Sequence, residues 1–471
     1  MQLNSTSAHA PDLFSSCNQQ MLTYHNGTAR ASQNSIRAQT CPTSCPLIHS
    51  RISKQLIKMF ARQLNNYFFH KLPISRYYPT YKRLLSASLT EGNVVVVQQP
   101  NGGEPLQFPS IWLRDNCQCS ACFHDNTKSR QINWKRASVD SRIRSINGGY
   151  EENALTIDWQ DNHKSTFTLA WLKDRDFAPT NRKRYIESVY KPTYQLWSKS
   201  EFSNVLRTFE FKDVMAQDKV LLDWLESLAI RGFSIIKNSP HDNTVARQLA
   251  DRIGYIKRTT YGEEFEVKSK DNAHNYAYMM TPLPLHTDMP YYEYKAGINI
   301  LHCYVQSQSP GGSNLMTDGF YIAEKLRKEF PKLFEILVKT PVDWYDIGKD
   351  GGMSFHNIWR APTICLDVDG RYHRINENSN KRDSHFTVPL EQVAPWYEAY
   401  DKFIELAYAE AVDFKTTPGD VFVFNNLRML HGRTAYEDSP ANKRLLIGAY
   451  VDWDIIYSKI RIIRSQIAGN C

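Results

Sequence analysis

No run of about 18 consecutive apolar residues occurs in this 471-residue chain, so nothing in it reads as a membrane-spanning helix and no membrane partner is expected. Neither a GxGxxG nor a GxxxxGK[ST] phosphate loop is present, which removes the usual sequence grounds for a nucleotide-binding domain. No internal repeat is visible. Cysteine is sparse and unevenly placed: Cys17, Cys41 and Cys45, then a cluster at Cys117, Cys119 and Cys122, then Cys303, Cys365 and Cys471. That distribution does not make a secreted disulfide framework. Acid is almost missing from residues 1–90, which hold ten Lys and Arg against the single acid Asp12. The net charge of +8 therefore resides in this extension, because the remaining residues carry 47 basic and 48 acidic side chains. A near-neutral body offers no basic stripe for a polyanion, and nucleic acid is not an expected partner.

The extension is rich in Ser, Thr, Asn and Arg. Within it "SRISKQLIKMFARQLNNYFF" places Arg51, Lys54, Lys58 and Arg62 on one helical face and Ile52, Leu56, Phe60 and Leu64 on the other. A mitochondrial transit peptide is one reading. A poorly structured N-terminal extension on a cytoplasmic protein is the other.

Hydrophobic residues make up 42% and aromatics 12% of the chain, enough for a sizeable core, and the length suggests more than one unit. Residues 1–88 read as the extension, 89–185 as a small β-rich domain and 200–466 as a larger domain. In the small domain "NVVVVQQ" is strand-like, and "NALTIDWQDNHKSTFTLAWL" reads as strands about a polar turn at Asp161–His163. "APTNRKRYIESVYKPT" reads as a linker. In the larger domain short strands ("AGINILHCYVQ", "TICLDVDGRYHRI", "GDVFVFNN", "RLLIGAYVDWD") alternate with amphipathic helices. The helical stretches are "DKVLLDWLESLAIRGF", "VARQLADRIG", "GFYIAEKLRKEFPKLFEILVKT" and "LEQVAPWYEAYDKFIELAYAEAV". This pattern predicts a mainly β protein with helical insertions, built on a β-sandwich or jelly roll.

"PLPLHTDMPYY" (residues 282–292) carries the chemistry. Among the fourteen histidines only His286 has an acid two residues on, Asp288. On a strand, positions i and i+2 share a face, so an imidazole and a carboxylate would stand side by side. A surface histidine near an aspartate is the commoner fate of such a pair. Downstream, however, "PGDVFVFNNLRMLHGRTAY" supplies a buried-looking strand and then His431. Two histidines and one carboxylate form the facial triad suited to non-haem Fe(II), with positions open for cosubstrate and dioxygen. Arg444, in "NKRLLIGAY", is the bidentate donor that a dicarboxylate cosubstrate such as 2-oxoglutarate requires. Without His431 nearby it would read as a solvated strand-end charge.

Taken together, "WLRDNCQCSACF", "PLPLHTDMPYY", "DGFYIAEKL", "NNLRMLHGRTAY" and "GAYVDWD" resemble the γ-butyrobetaine/trimethyllysine dioxygenase family of Fe(II)/2-oxoglutarate oxygenases, over roughly residues 90–465. The resemblance implies a double-stranded β-helix with a small β-rich N-terminal zinc domain. It also implies Fe(II), 2-oxoglutarate and dioxygen, support by ascorbate, and a homodimer. Iron falls to His286, Asp288 and His431, and 2-oxoglutarate to Arg444 and Leu301. A structural zinc falls to Cys117, Cys119, Cys122 and His163. CxCxxC brings three thiolates close together, and Cys3His is a closed tetrahedral set. His124 is a nearer rival for the fourth place, and three free thiols are the bland alternative.

The implied substrate, γ-butyrobetaine, is a trimethylammonium at one end and a carboxylate at the other. A cation that cannot donate hydrogen bonds is best held by aromatic faces. The family's cage falls on Tyr261, Phe265, Tyr278 and Tyr450, with Phe265 where tryptophan is expected. Met289 stands where the mammalian type has tyrosine, and Tyr291 or Tyr292 are candidates to compensate. Each of these rings could equally be ordinary core. Asn275 and Asn378 take the carboxylate positions. Their neutral amides suit γ-butyrobetaine, whereas an acid would suit the α-ammonium of trimethyllysine. Glu377 would complicate this if it pointed inward, though strand alternation would turn it away. The implied activity is hydroxylation of γ-butyrobetaine to L-carnitine. Trimethyllysine hydroxylation and a non-catalytic betaine-binding protein are the alternatives.

Overall fold

The computed structural model describes residues 85–100, 102–131, 141–148, 153–270, 275–350 and 352–469. The expected amphipathic helix of the extension lies outside the described residues, as do Cys17, Cys41, Cys45 and Cys471.

Two sheets face each other in the larger part of the chain. The six-stranded sheet runs Glu264–Val267, Leu445–Val451, Ile298–Val305, Val421–Asn425, Phe233–Lys237, Thr208–Glu210. Only its last pair is parallel. The four-stranded sheet runs Leu283–His286, Met429–Arg433, Asn314–Asp318, Val412–Phe414 and is antiparallel throughout. This is the expected jelly roll, with strands contributed from distant parts of the chain. Val421–Asn425 is buried at every position, as a central strand covered on both faces must be.

Three helices, Asp218–Arg231, Val245–Ile253 and Trp453–Ile467, cover the outer face of the larger sheet. Their Leu225, Leu249 and Ile456 pack with Ile298, Ile300 and Val423. The C-terminal helix is an element that the strand and helix pattern described above does not predict. On the other side Gly319–Glu329, Pro331–Lys339 and Leu390–Ala409 build a second core with Trp344, Trp396 and Leu430. The single helix expected over 319–340 is two, because Pro331 starts a new helix and Phe330 breaks between them with ψ 60°. Among the described residues no helix is long and apolar enough to cross a membrane.

The N-terminal part has its own core of Val95, Phe108, Leu113, Leu155, Trp159 and Phe167. Ala154–Trp159 and Lys164–Thr168 pair as the expected hairpin, with Asn162 in the left-handed region at the turn (φ 64°). The segment expected as a linker is instead helical, as Pro179–Arg184 followed by a wider turn of helix at Tyr185–Tyr190. Pro179 takes the first helical position, where its missing N–H costs nothing. The segment is anchored rather than free: Arg371, Arg461 and Arg464 donate to carbonyls of Ile186, Ser188, Val189, Tyr190 and Pro192.

Candidate active site

His286 is the last residue of its strand and pairs across the sheet with His431. The expected strand pairing of His286 with Asp288 is therefore corrected: Asp288 lies beyond the strand, in the turn that follows. Met289 explains why. It adopts a left-handed backbone (φ 56°), which turns the chain back on itself before Pro290 and is strained for a side chain of this size. The turn nevertheless delivers the carboxylate. Asp288 Oδ1 lies 3.3 Å from His286 Nε2 and 3.6 Å from His431 Nε2, and ligand atoms of the three residues all fall within 4.8 Å of one another.

Neighbouring groups fix which atoms face inward. His286 Nδ1 is 2.8 Å from the Pro284 carbonyl. A carbonyl only accepts, so Nδ1 carries a proton and Nε2 is the ring nitrogen left facing the centre. Asp288 Oδ2 accepts from Asn299 Nδ2 (2.8 Å) and from the Tyr450 hydroxyl (3.0 Å), while Asn426 Oδ1 receives the Asp288 N–H (2.7 Å). Oδ1 is thereby left for a cation. Burial opposes the Asp288 charge, but the His431 and His286 imidazoles hold its carboxyl below the ordinary range. Burial, and then the neighbouring His286, pushes His431 down to about 3, so it presents a neutral imidazole. The neutral His431 imidazole, the inward-facing Nε2 of His286 and one free carboxylate oxygen are a donor set that fits Fe(II).

The cluster opens into a cavity. Its wall includes every residue assigned to cosubstrate or substrate: Arg444, Leu301, Tyr261, Phe265, Asn275, Tyr278, Met289, Asn378 and Tyr450. On this wall Arg444 is 3% exposed, forms no ion pair with an acid among the described residues, and leaves Nε without a partner. Among the described residues its side chain donates to Asn314 Oδ1 at 3.5 Å and lies over the Tyr436 ring, 5.6 Å from its centre. Burial, and then the adjacent Arg433, pushes its guanidinium down to about 10. A buried cation without a counter-charge is costly, and a dicarboxylate in the cavity would supply that charge.

Elsewhere on the wall Phe265 stacks on Tyr450, with ring centres 4.8 Å apart. Phe265 lies opposite Gly448 in the sheet. A Cβ on Gly448 would stand 2.3 Å from Phe265 Cζ, so only glycine admits the ring. Of the two candidates for compensation, Tyr291 lines the cavity, whereas Tyr292 hydrogen-bonds Thr260. Glu377 does not line it: its Oε1 accepts from Ser379 and Tyr400 on the far side. Burial pushes its carboxyl up to about 7.

Two features had no sequence signal. The hairpin Pro341–Asp350/Met353–Pro362 brings in Asp346, which accepts from the Tyr261 hydroxyl (2.7 Å) and the Lys381 ammonium (2.5 Å). Burial and then Asp346 hold the Tyr261 phenol protonated. The buried Arg433, two residues past His431, donates to carbonyls of Ala277, Met279 and Thr281. These partners become visible only once distant segments are folded together.

In the N-terminal part His163 Nε2 lies 3.2, 3.6 and 3.5 Å from the sulfurs of Cys117, Cys119 and Cys122. All four ligand atoms fall within 4.8 Å of one another. The rival His124 is exposed and engaged with Thr127. Arg114, paired with Asp161 at 2.9 Å, also approaches Cys122 Sγ at 3.8 Å. Three sulfurs and one imidazole nitrogen fit a tetrahedral zinc set.

A jelly roll whose cavity wall holds two histidines and an aspartate together with a buried arginine that has no paired acid among the described residues defines an Fe(II)/2-oxoglutarate-dependent dioxygenase. Comparison with known proteins gives the family. Residues 190–450 match "Taurine catabolism dioxygenase TauD, TfdA family" and residues 90–173 match "Gamma-butyrobetaine hydroxylase-like, N-terminal". The chain belongs to the TauD/TfdA family of dioxygenases. It is 36% identical over 373 residues to the γ-butyrobetaine dioxygenase of Homo sapiens, covering 78% of this chain and 94% of that protein. Against the γ-butyrobetaine dioxygenase of Pseudomonas sp. (strain AK-1) the identity is 30% over 403 residues, 83% of this chain and 98% of the relative. Mitochondrial trimethyllysine dioxygenase of Homo sapiens is 28% identical over 365 residues, 77% of this chain and 84% of the relative.

Proposed function

We propose that this chain hydroxylates γ-butyrobetaine at C3 to give L-carnitine, converting 2-oxoglutarate to succinate and carbon dioxide. The observation that carries this reading is the cavity's division of labour. Tyr261, Phe265, Tyr278 and Tyr450 line it together with the neutral amides Asn275 and Asn378, beside the His286, Asp288 and His431 cluster. Rings attract a quaternary ammonium by roughly 0.5–2 kcal/mol each, and amides donate to a carboxylate without adding charge.

In this proposal His286, Asp288 and His431 hold Fe(II), which with 2-oxoglutarate and dioxygen supplies the oxidising power for C–H hydroxylation. Arg444 grips the far carboxylate of 2-oxoglutarate, and Leu301 packs against that cosubstrate. Asn299 and Tyr450 keep Asp288 turned so that one oxygen faces the metal. Met289 and the tyrosines keep the substrate's path apolar, and binding fixes the reacting carbon within reach. The proposal includes a structural zinc on Cys117, Cys119, Cys122 and His163, support by ascorbate, a homodimer and a mitochondrial location, as the family resemblance and the basic extension suggest.

The test is turnover by purified enzyme with Fe(II), 2-oxoglutarate and either γ-butyrobetaine or trimethyllysine. Preferential formation of carnitine with matching succinate is expected; preference for trimethyllysine would refute the reading. His286→Ala and His431→Ala should each abolish succinate formation, and decarboxylation that persists in them would rule out the ligand assignment.

A further inference from the structure

Two of the three cations on the cavity wall other than the histidines are accounted for. Arg444 lies toward the cosubstrate, and Arg433 donates to three main-chain carbonyls. The third is Lys381. It follows Asn378 in the short turn Ser379–Lys381, where its N–H donates to the Asn378 carbonyl (2.9 Å). Its side chain is 15% exposed, and its ammonium meets Asp346, whose side chain is 2% exposed. Asp346 sits behind the wall and bridges: one oxygen takes Lys381 and the other takes the Tyr261 hydroxyl, which in turn accepts from Asn275 Nδ2 (3.0 Å). Both amides assigned to the substrate's carboxylate are thus joined to Lys381, Asn378 through the turn and Asn275 through Tyr261 and Asp346.

We propose that Lys381 is a selectivity residue, resting on the reading of this cavity as a trimethylammonium-acid site. Its ammonium complements a carboxylate end of net charge −1, as in γ-butyrobetaine. It disfavours the α-amino-acid end of trimethyllysine, where an ammonium beside the carboxylate makes that end net neutral and brings like charge toward Lys381. Asp346 is its positioning residue. By pairing with Lys381, Asp346 is itself withheld from an α-ammonium; with Lys381 removed, a buried carboxylate that suits an α-ammonium is released beside the site.

The experiment compares wild type with Lys381→Met, Lys381→Arg and Asp346→Asn. It measures kcat/KM for γ-butyrobetaine and for trimethyllysine, and binding of each by calorimetry without oxygen. In Lys381→Met the preference for γ-butyrobetaine should fall at least tenfold in both measurements, while Lys381→Arg keeps most of it. Asp346→Asn, which leaves the ammonium without its carboxylate, should move the ratio the other way. A folded Lys381→Met with an unchanged ratio overturns the proposal. Should that variant not fold, an unchanged ratio in Asp346→Asn overturns it instead. Wild type that turns over neither compound, yet still consumes 2-oxoglutarate, would refute the function itself rather than the role of Lys381.

Discussion

At Gly448 one hydrogen atom decides whether the proposed cage exists. A Cβ there would lie 2.3 Å from Phe265 Cζ and 2.8 Å from Leu301 Cδ2. Gly448→Ala must therefore push the Phe265 ring off Tyr450, losing an aromatic pair worth about 0.5–1.5 kcal/mol together with one cation–π face. KM for γ-butyrobetaine should rise about tenfold, equivalent to about 1.4 kcal/mol; an unchanged KM would remove Phe265 from the substrate site. Arg444 makes a complementary case. Arg444→Lys keeps the charge but loses the planar fork, so KM for 2-oxoglutarate should climb steeply while anaerobic iron binding is retained. Loss of iron instead would show that Arg444 serves the metal cluster. Of these residues the sequence discloses Arg444 and Phe265 as chemical types at meaningful positions. It is silent on Gly448, because the contact with Phe265 exists only after two strands 183 residues apart have paired.

Strands and turns show the same limit on what a sequence reveals. His286 and His431 are legible because each sits in a motif, and the sheet then sets them opposite each other. Asp288 is legible too, but by a reason that does not hold: the strand stops at His286, and the left-handed Met289, not strand alternation, aims the carboxylate. Periodicity reports the face of a regular element and says nothing about a turn. Arg433 belongs to the same class of hidden feature. It shares the strand of His431 and ties residues 277–281 to it through their carbonyls, which holds the stretch carrying Asn275 and Tyr278 over the cavity. Each such bond to a charged donor contributes roughly 1.5–3 kcal/mol. Arg433→Met should raise KM for γ-butyrobetaine tenfold or more and expose residues 275–281 to protease, with anaerobic iron binding retained. A variant with normal KM and normal protease resistance would make Arg433 a mere filler of space.

Across the whole molecule two sites of opposite character are built on separate cores. The iron cluster opens on a cavity, whereas the Cys117, Cys119, Cys122 and His163 set is closed, so its proposed zinc holds the N-terminal part together and takes no part in turnover. Without metal two of the three sulfurs are held as thiols: burial, and then the neighbouring Cys117, pushes the Cys122 thiol up to about 11, and burial also raises Cys117, whereas burial of Cys119 is outweighed by hydrogen bonds from Cys117, Ala121 and Cys122, which lower it. Protons must therefore leave when zinc binds, and zinc affinity should increase with pH through the neutral range. Competition with a chelator at about pH 6 and about pH 8, roughly one unit either side of neutrality, would measure this. A pH-independent affinity would mean that the sulfurs do not hold the metal. The N-terminal part has its own apolar cluster around Val95, Phe108 and Trp159, so Cys122→Ser should loosen the segment about residues 117–131 before it disturbs the jelly roll. Calorimetry should then resolve an early transition below the main one, while anaerobic binding of 2-oxoglutarate to the jelly roll stays close to that of the parent at temperatures beneath it. Simultaneous loss of both would show that the two cores unfold as one, with zinc governing the active site through the fold.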